Sequence, residues 1–226
     1  MPWRASAICG LAASVTFVGG VLLGDVAQPD AFSPANDDIS DLGALTASSP
    51  WLYNQVAANL TGLLVVVLAL GIWGALGEGL LSRLGVLGLL VVGVGLFLDG
   101  LFRLDCQGID GACENTSWHS TAHRIEGGFT STALILTPLV LALAFRRLPE
   151  WRRIWLPTLL TTPAVIAAGA VLSTVGSGAS ARAASVVWFL WLALVAFRLL
   201  RVSSEPRGAA APGELVEKPP TSRYPR

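Results

Sequence analysis

The chain has 226 residues, of which 15 are Lys or Arg and 15 are Asp or Glu, so its formal net charge is zero. Hydrophobic residues make up 53% of it, charged residues only 13%, and the mean hydropathy is +0.63. This composition excludes an ordinary soluble domain, because so much apolar surface must face lipid. It also argues against a nucleic-acid-binding protein, which needs a basic surface.

Six long apolar stretches follow one another, separated by short polar segments. A bilayer core about 30 Å thick requires roughly 20 apolar residues per helix, which these stretches supply. The first resembles a cleavable signal peptide, but no clean small-residue cleavage site precedes Asp25. The sequence therefore predicts an all-α integral membrane bundle of about six transmembrane helices within residues 1–202. The helices are expected near residues 5–24, 55–77, 84–104, 119–145, 155–175 and 183–202.

The distribution of cations predicts the orientation in the membrane. Short loops rich in Arg and Lys stay in the cytoplasm, and the connection between helices four and five reads RRLPEWRR, residues 146–153. The loops on the opposite side are rich in Asp. Both termini are therefore expected in the cytoplasm, in a multi-pass protein of the cell membrane. The Pro-rich segment 203–226 is predicted to be a disordered cytoplasmic tail.

Two of the three cysteines, Cys106 and Cys113, fall in the loop between helices three and four. The cation distribution places this loop outside the cell, where thiols oxidise, so a disulfide between them is predicted. A pair of metal-ligating thiolates is the alternative, but the spacing is not that of a zinc knuckle. Cys9 is interpreted as a packing residue of helix one.

Ionisable residues concentrate at the outer ends of the helices. On helix three, Asp99 and Arg103 are spaced i, i+4 and are expected to pair. On helix four, His119, His123 and Glu126 are spaced i, i+4 and i+7, which places them on one helical face.

Two imidazoles one turn apart are suited to zinc, and Asp105 is a candidate third ligand from across the loop. Zinc-bound water would then supply hydroxide, with Glu126 or Asp41 as the catalytic base. The plainer alternative is that His119 and His123 bond backbone carbonyls, loop carboxylates or headgroups.

The first outer loop, residues 25–50, is long for a bundle connection and contains the sequence DDISDLG. Asp38 or Ser40 is positioned to cap a short helix that lies on the bundle. Such a loop would bring Ser40 and Asp41 toward the histidines. Ser40 as a nucleophile is disfavoured, because no nucleophile-elbow sequence accompanies it.

Four short motifs occur in a fixed order around the helices: ISDLG (39–43), WLYN (51–54), FRLDC (102–106) and HSTAH (119–123). Their order resembles the bacterial domain-of-unknown-function 998 family of six-helix membrane proteins, over roughly residues 5–202. The family usually has Gln before the Arg that starts helix six, whereas this chain has Ala181 there. The resemblance implies no reaction, but it marks a set of polar positions. They are Ser40, Asp41, Asn54, Asp105, His119, His123 and Arg182.

A looser likeness links the chain to the membrane hydrolase superfamily that includes alkaline ceramidases. That likeness implies seven helices and an intramembrane zinc with three His ligands. This chain has two His residues in all, so Asp105 or Glu126 would have to replace the third.

Three classes of function remain after these comparisons. The first expectation is an outward-facing polar pocket that binds a lipid headgroup or small polar ligand. The alternatives are a metal-assisted hydrolase acting on a lipid or lipid-linked substrate at the outer leaflet, and a structural accessory subunit of a membrane complex. The residues expected to bind the ligand are Ser40, Asn54, Asp99, Arg103, Arg124 and Arg182.

Overall fold

The computed structural model of the protein describes residues 3–204. These residues form helices, turns and loops without a strand, and six of the helices are long and apolar enough to cross a membrane. The predicted all-α six-helix bundle is thereby confirmed. The predicted tail, residues 203–226, lies outside the described residues except for Ser203 and Ser204.

The spans differ from their predicted limits chiefly in the second, third and sixth. Helix six begins at Ser177, six residues before its expected start at residue 183. The second span begins with a π-helical segment, Leu52–Leu60, that continues directly into α2. Helix three ends at Asp99, five residues before its expected end at residue 104. The helices are α1 (Trp3–Val26), α2 (Thr61–Leu76), α3 (Leu80–Asp99), α4 (Trp118–Phe145), α5 (Trp155–Leu172) and α6 (Ser177–Val202).

The six helices form a ring, in which each packs against its neighbours in sequence and α6 closes onto α1. The core is apolar and includes fully buried side chains from α2, α3, α4 and α6. Leu68, Leu89, Leu141 and Leu192 are examples of these core side chains.

Glycines on α3 allow neighbouring helices to approach closely. A Cβ atom on Gly93 would lie 2.9 Å from the carbonyl oxygen of Gly62, on α2. A Cβ atom on Gly85 would likewise lie too close to a side-chain carbon of Leu141, on α4. The small residues of α3 therefore serve contacts within the chain, as helices in a membrane pack through small side chains.

The polar connections at one end of the ring pack against each other. They form the acidic cap, residues 27–51 and 100–117. A short 3-10 helix, Ile39–Gly43, starts after Asp38, whose side chain makes no capping bond. Leu45 N donates to Leu104 O at 3.0 Å, joining the two loops. The predicted disulfide between Cys106 and Cys113 is present and closes the second loop on itself.

We predict that Gly93→Ala lowers the free energy of unfolding by about 2 kcal/mol, because the added methyl group forces α2 and α3 apart. Thermal unfolding in detergent measures the effect. Gly127→Ala is the matched control, since no atom lies within 4 Å of its added Cβ atom. Equal stability of the two variants would show that the α2–α3 contact is not tightly packed.

Candidate functional site

Five polar side chains meet where the π-helical segment, the end of α3 and the first turns of α4 come together. We call Tyr53, Asp99, His123, Glu126 and Thr130 the polar cluster. The Tyr53 hydroxyl donates to Oδ2 of Asp99 at 2.6 Å, and the Thr130 hydroxyl donates to Oε1 of Glu126. Nδ1 of His123 lies 3.1 Å from Oδ1 of Asp99. The cluster therefore links three segments of the chain.

Local backbone structure sets these positions. The π-helical segment is wider than an α-helix, a feature frequent at functional sites, and it carries Tyr53. The side chain of Asn59, in the same segment, donates to the carbonyl oxygen of Phe97 at 2.6 Å, holding this segment against α3. On α4, Glu126 follows His123 by three residues, so both side chains project from one face.

The cluster is buried in the membrane-spanning part of the bundle. The side chains of His123 and Asp99 are 12% and 13% exposed, and Glu126 is 8% exposed. Nδ1 of His123 lacks hydrogen-bond geometry toward Asp99, so the two atoms are close together without a hydrogen bond between them. Oε2 of Glu126 is buried and has no hydrogen-bond partner within the described residues. A buried carboxylate oxygen without a partner is costly, and such groups mark functional sites in membrane proteins.

A cleft between α3 and α4 adjoins the cluster. Its volume is about 580 Å³, and Glu126 and Thr130 are the acid and hydroxyl in a lining that is otherwise apolar. Several lining side chains are exposed on the outside of the bundle, where lipid surrounds a membrane protein. The apolar lining includes Leu87, Val91, Val94, Phe102, Ile125 and Phe129.

The carboxylates of Asp99 and Glu126 and the His123 ring offer one ligand atom each, all within 4.8 Å of one another. Of the metal ligands expected from the sequence, His123 belongs to this group, and so does Glu126, which was the alternative to Asp105 as third ligand. His119 instead lies against Trp118, with ring centroids 3.6 Å apart and ring planes tilted by 30°. Asp105 lies in the loop before α4.

Asp105 supports the start of α4. One of its carboxylate oxygens accepts from Ser117 N at 2.9 Å, and the Ser117 side chain caps α4 by accepting from Ser120 N. Hydrogen bonds from the Ser117 hydroxyl and backbone N–H lower the pKa of the Asp105 carboxyl. Its backbone N–H donates to the Asn115 side chain at 2.7 Å. These bonds give Asp105 a structural role.

Asp41 lies in the acidic cap, outside the Asp99–His123–Glu126 group. Its Oδ2 accepts from Gly108 N at 3.3 Å, and its carbonyl oxygen accepts from the Gln107 side chain. Burial raises the pKa of the Asp41 carboxyl, and repulsion by Asp38 adds to the rise. Its neighbour Ser40 forms no hydrogen bond to either histidine within residues 3–204.

Arg182 joins α6 to α1 and to the acidic cap. Its guanidinium forms two bonds with the Asp25 carboxylate, at 2.6 and 3.1 Å, and a third with Asp37 O at 2.8 Å. Asn54 is likewise occupied inside the protein, since its side chain donates to Gly43 O at 3.0 Å. Both residues hold the cap to the helices.

Arg103 and Arg124, the other two arginines expected to bind a ligand, do not belong to the polar cluster. The expected helical pair of Asp99 and Arg103 is not formed, because α3 ends at Asp99 and Arg103 lies in the following loop. Across residues 3–204, Arg103 makes neither a hydrogen bond nor an ion pair. Arg124 is exposed and donates to Asn115 O at 3.1 Å.

With this geometry in place, comparison with protein families gives one result. The profile of the family described as "Protein of unknown function (DUF998)" matches residues 11–198. The chain belongs to the DUF998 family. No curated protein and no solved structure matches it. The family description carries no activity, so the function of this DUF998 chain has to be argued from its own residues.

Sequence reasoning missed two members of the polar cluster in this DUF998 chain. Tyr53 was not among the marked positions, although it adjoins one of them, Asn54. Thr130 follows Glu126 by four residues, and that spacing on a helix was a usable signal for their contact.

We predict that Arg182→Ala lowers the free energy of unfolding by about 3 kcal/mol, because it leaves the Asp25 carboxylate unpaired. The two side chains are only 15% and 10% exposed, so solvent screens the pair weakly. The double variant with Asp25→Ala should lose less than the sum of the single losses. A thermal double-mutant cycle in detergent measures this coupling, and strict additivity would contradict the ion pair.

We predict that Asp105→Asn reduces the loss of stability in acid. The Asp105 pKa is lower in the folded protein than its ordinary value of 3.8, so its carboxylate stabilises the fold above that value. This contribution disappears as the pH falls through the lowered pKa. Unfolding midpoints between neutral and acid pH should therefore fall more steeply in the wild type than in the variant. Parallel curves would contradict the role of Asp105 at the start of α4.

Proposed function

We propose that this membrane protein binds a membrane lipid in the cleft between α3 and α4, with the polar part of the lipid at the polar cluster. The observation that carries the proposal is the apolar cleft of about 580 Å³ whose lining includes Glu126. This volume falls in the usual range of ligand sites, about 300–1,000 Å³.

The surroundings of the cleft favour a lipid as the ligand. The cleft is lined by side chains that are exposed on the outside of a membrane-spanning bundle, such as Phe129 and Val94. The molecules in contact with that surface in a bilayer are acyl chains. An acyl chain in the cleft would cover this apolar surface without exposing any polar group.

The charges of the polar cluster restrict the headgroup. Asp99 and Glu126 are acceptors when ionised, and Oε2 of Glu126 has no partner among the described residues. Two carboxylates beside one imidazole disfavour an anionic phosphate through repulsion. The favoured ligand is therefore a lipid with a hydroxyl, amide or amine near its chains.

This proposal differs from the outward-facing polar pocket expected from the sequence. Asn54 and Arg182 are engaged in bonds within the protein. These two residues are therefore not available to a ligand, and the proposed site is instead at Tyr53, Asp99 and His123. The glycines of α3 could have allowed a helix of another protein to approach closely, as an accessory subunit would require. They pack against α2 and α4 instead, so they do not support that alternative.

The orientation and location also belong to this proposal. The acidic cap and the Arg-rich connection at residues 146–153 lie at opposite ends of α4, and cations favour the cytoplasmic side. The cap and the polar cluster would thus face the outer leaflet of a bacterial cell membrane, with both termini in the cytoplasm.

We predict that Ala122→Phe lowers lipid labelling about tenfold, since filling the cleft removes on the order of 1.4 kcal/mol of chain contacts. The probe is a diacylglycerol, whose hydroxyl lies next to its chains, with a photoactivatable acyl chain, in vesicles of phosphatidylethanolamine and phosphatidylglycerol. Labelled peptides from α3 and α4 are measured by mass spectrometry.

Ala167→Phe is the matched control, because Ala167 is exposed on α5 and does not line the cleft. Labelling that is equal in the two variants, or spread evenly over all six helices, would reject the cleft as a lipid site.

A further inference from the structure

We propose that Asp99, His123 and Glu126 form a binding site for a divalent transition-metal ion, best matched by zinc. The inference goes beyond lipid binding and does not depend on it. The three residues offer one ligand atom each, all within 4.8 Å of one another. Carboxylate oxygen and imidazole nitrogen are both ligands that zinc uses in proteins.

The contact between Asp99 and His123 has the geometry of two ligands that share an ion. Their closest atoms are 3.1 Å apart, but Nδ1 of His123 has no hydrogen-bond geometry toward the carboxylate. Neighbouring ligand atoms around a tetrahedral zinc ion, at metal–ligand distances of about 2.0–2.2 Å, lie about 3.3–3.6 Å apart. The observed 3.1 Å is close to this range, as expected of two atoms that point to a common ion.

Glu126 supplies an independent observation. It is 8% exposed, and its Oε2 is buried without a hydrogen-bond partner among the described residues, while Oε1 accepts from Thr130. Pairing His123 with Asp99 leaves this oxygen unsatisfied. An ion between the three side chains would satisfy it.

The charges also balance. Two carboxylates and a neutral imidazole carry a charge of −2, which a divalent cation neutralises inside the membrane-spanning region, where net charge is costly. The imidazole favours a transition metal over magnesium or calcium, which prefer sites made only of oxygen ligands.

The surrounding contacts orient the ligands. The Tyr53 hydroxyl donates to Oδ2 of Asp99, which leaves Oδ1 facing His123. The Thr130 hydroxyl holds Oε1 of Glu126, which leaves Oε2 free to bind. Such hydrogen bonds to the ligands are a regular part of metal sites. Three protein ligands leave a fourth coordination position, and the cleft adjoins it because Glu126 belongs to both.

Zinc content tests the proposal. The protein is purified in detergent without chelator, incubated with Zn²⁺, freed of excess metal and analysed by inductively coupled plasma mass spectrometry. About one ion per chain is expected in the wild type. Glu126→Gln and His123→Ala should each weaken zinc binding by at least about 100-fold, more than the loss of an outer-shell partner causes.

Two control variants separate this ligand set from the one expected from the sequence. His119→Ala and Asp105→Asn change residues outside the group and should keep the ion. Loss of zinc in His119→Ala as large as in His123→Ala would overturn the proposed ligands. A wild-type chain that binds no zinc would overturn the site itself.

Glu126→Gln also guards against misfolding, because an amide can still accept from Thr130 and its size is unchanged. We expect this variant to remain monodisperse and, with chelator present, at least as stable as the wild type. Visible absorption of Co²⁺ bound to the wild type, absent from Glu126→Gln, gives a second readout of coordination. Zinc binding in the wild type without lipid labelling would reject lipid binding alone, and labelling without zinc would reject the metal site alone.

Discussion

The structure depends on how it pairs ionisable groups inside the membrane-spanning region. A carboxylate there has no bulk water to solvate it, so it must find a donor or a cation in the protein or in a ligand. Asp99 meets this requirement at one oxygen through the Tyr53 hydroxyl of the second span, and its other oxygen lies 3.1 Å from Nδ1 of His123 on the fourth span. Their contacts fix the end of α3 against both neighbouring segments.

Buried charged side chains have hydrogen-bond partners to different degrees at two places in the ring of helices. Where α1 meets α6, the Arg182 guanidinium bonds Asp25 and two backbone carbonyls, a fully paired arrangement typical of a structural contact. Where α3 meets α4, Glu126 keeps a buried oxygen without a partner beside a large apolar cleft. The side of the ring where α3 meets α4 is therefore the one at which the proposed ligand would satisfy a buried group of the protein.

The sequence predicted the helices well because an apolar run of about 20 residues has few alternatives to a transmembrane helix. The disulfide between Cys106 and Cys113 followed from their place in one short loop. Hydropathy did not locate the end of α3, since residues 100–104 include apolar side chains that continue the pattern into the loop. The expected pair of Asp99 and Arg103 failed for that reason.

The membership of the polar cluster was harder to predict. Spacing on α4 correctly placed His123 and Glu126 on one face, because it depends on a single helix. Contacts between helices depend on how each helix is rotated about its axis and on their register. The π-helical segment changes the direction of the Tyr53 side chain, and no residue pattern in the sequence predicts that segment. The same spacing on α4 also selected His119, and Asp105 was selected from its place at the expected end of helix three, across the loop.

The acidic cap bears on how a ligand would reach the polar cluster. Its carboxylates, amides and hydroxyls largely bond each other, as when Gln107 donates to Gln28 and Thr46 donates to Asp110. The cap therefore covers one end of the bundle, whereas the cleft is lined by side chains that face lipid. A ligand that enters from the side encounters apolar residues first and the polar cluster last. That order favours a molecule already dissolved in the bilayer over one arriving from water.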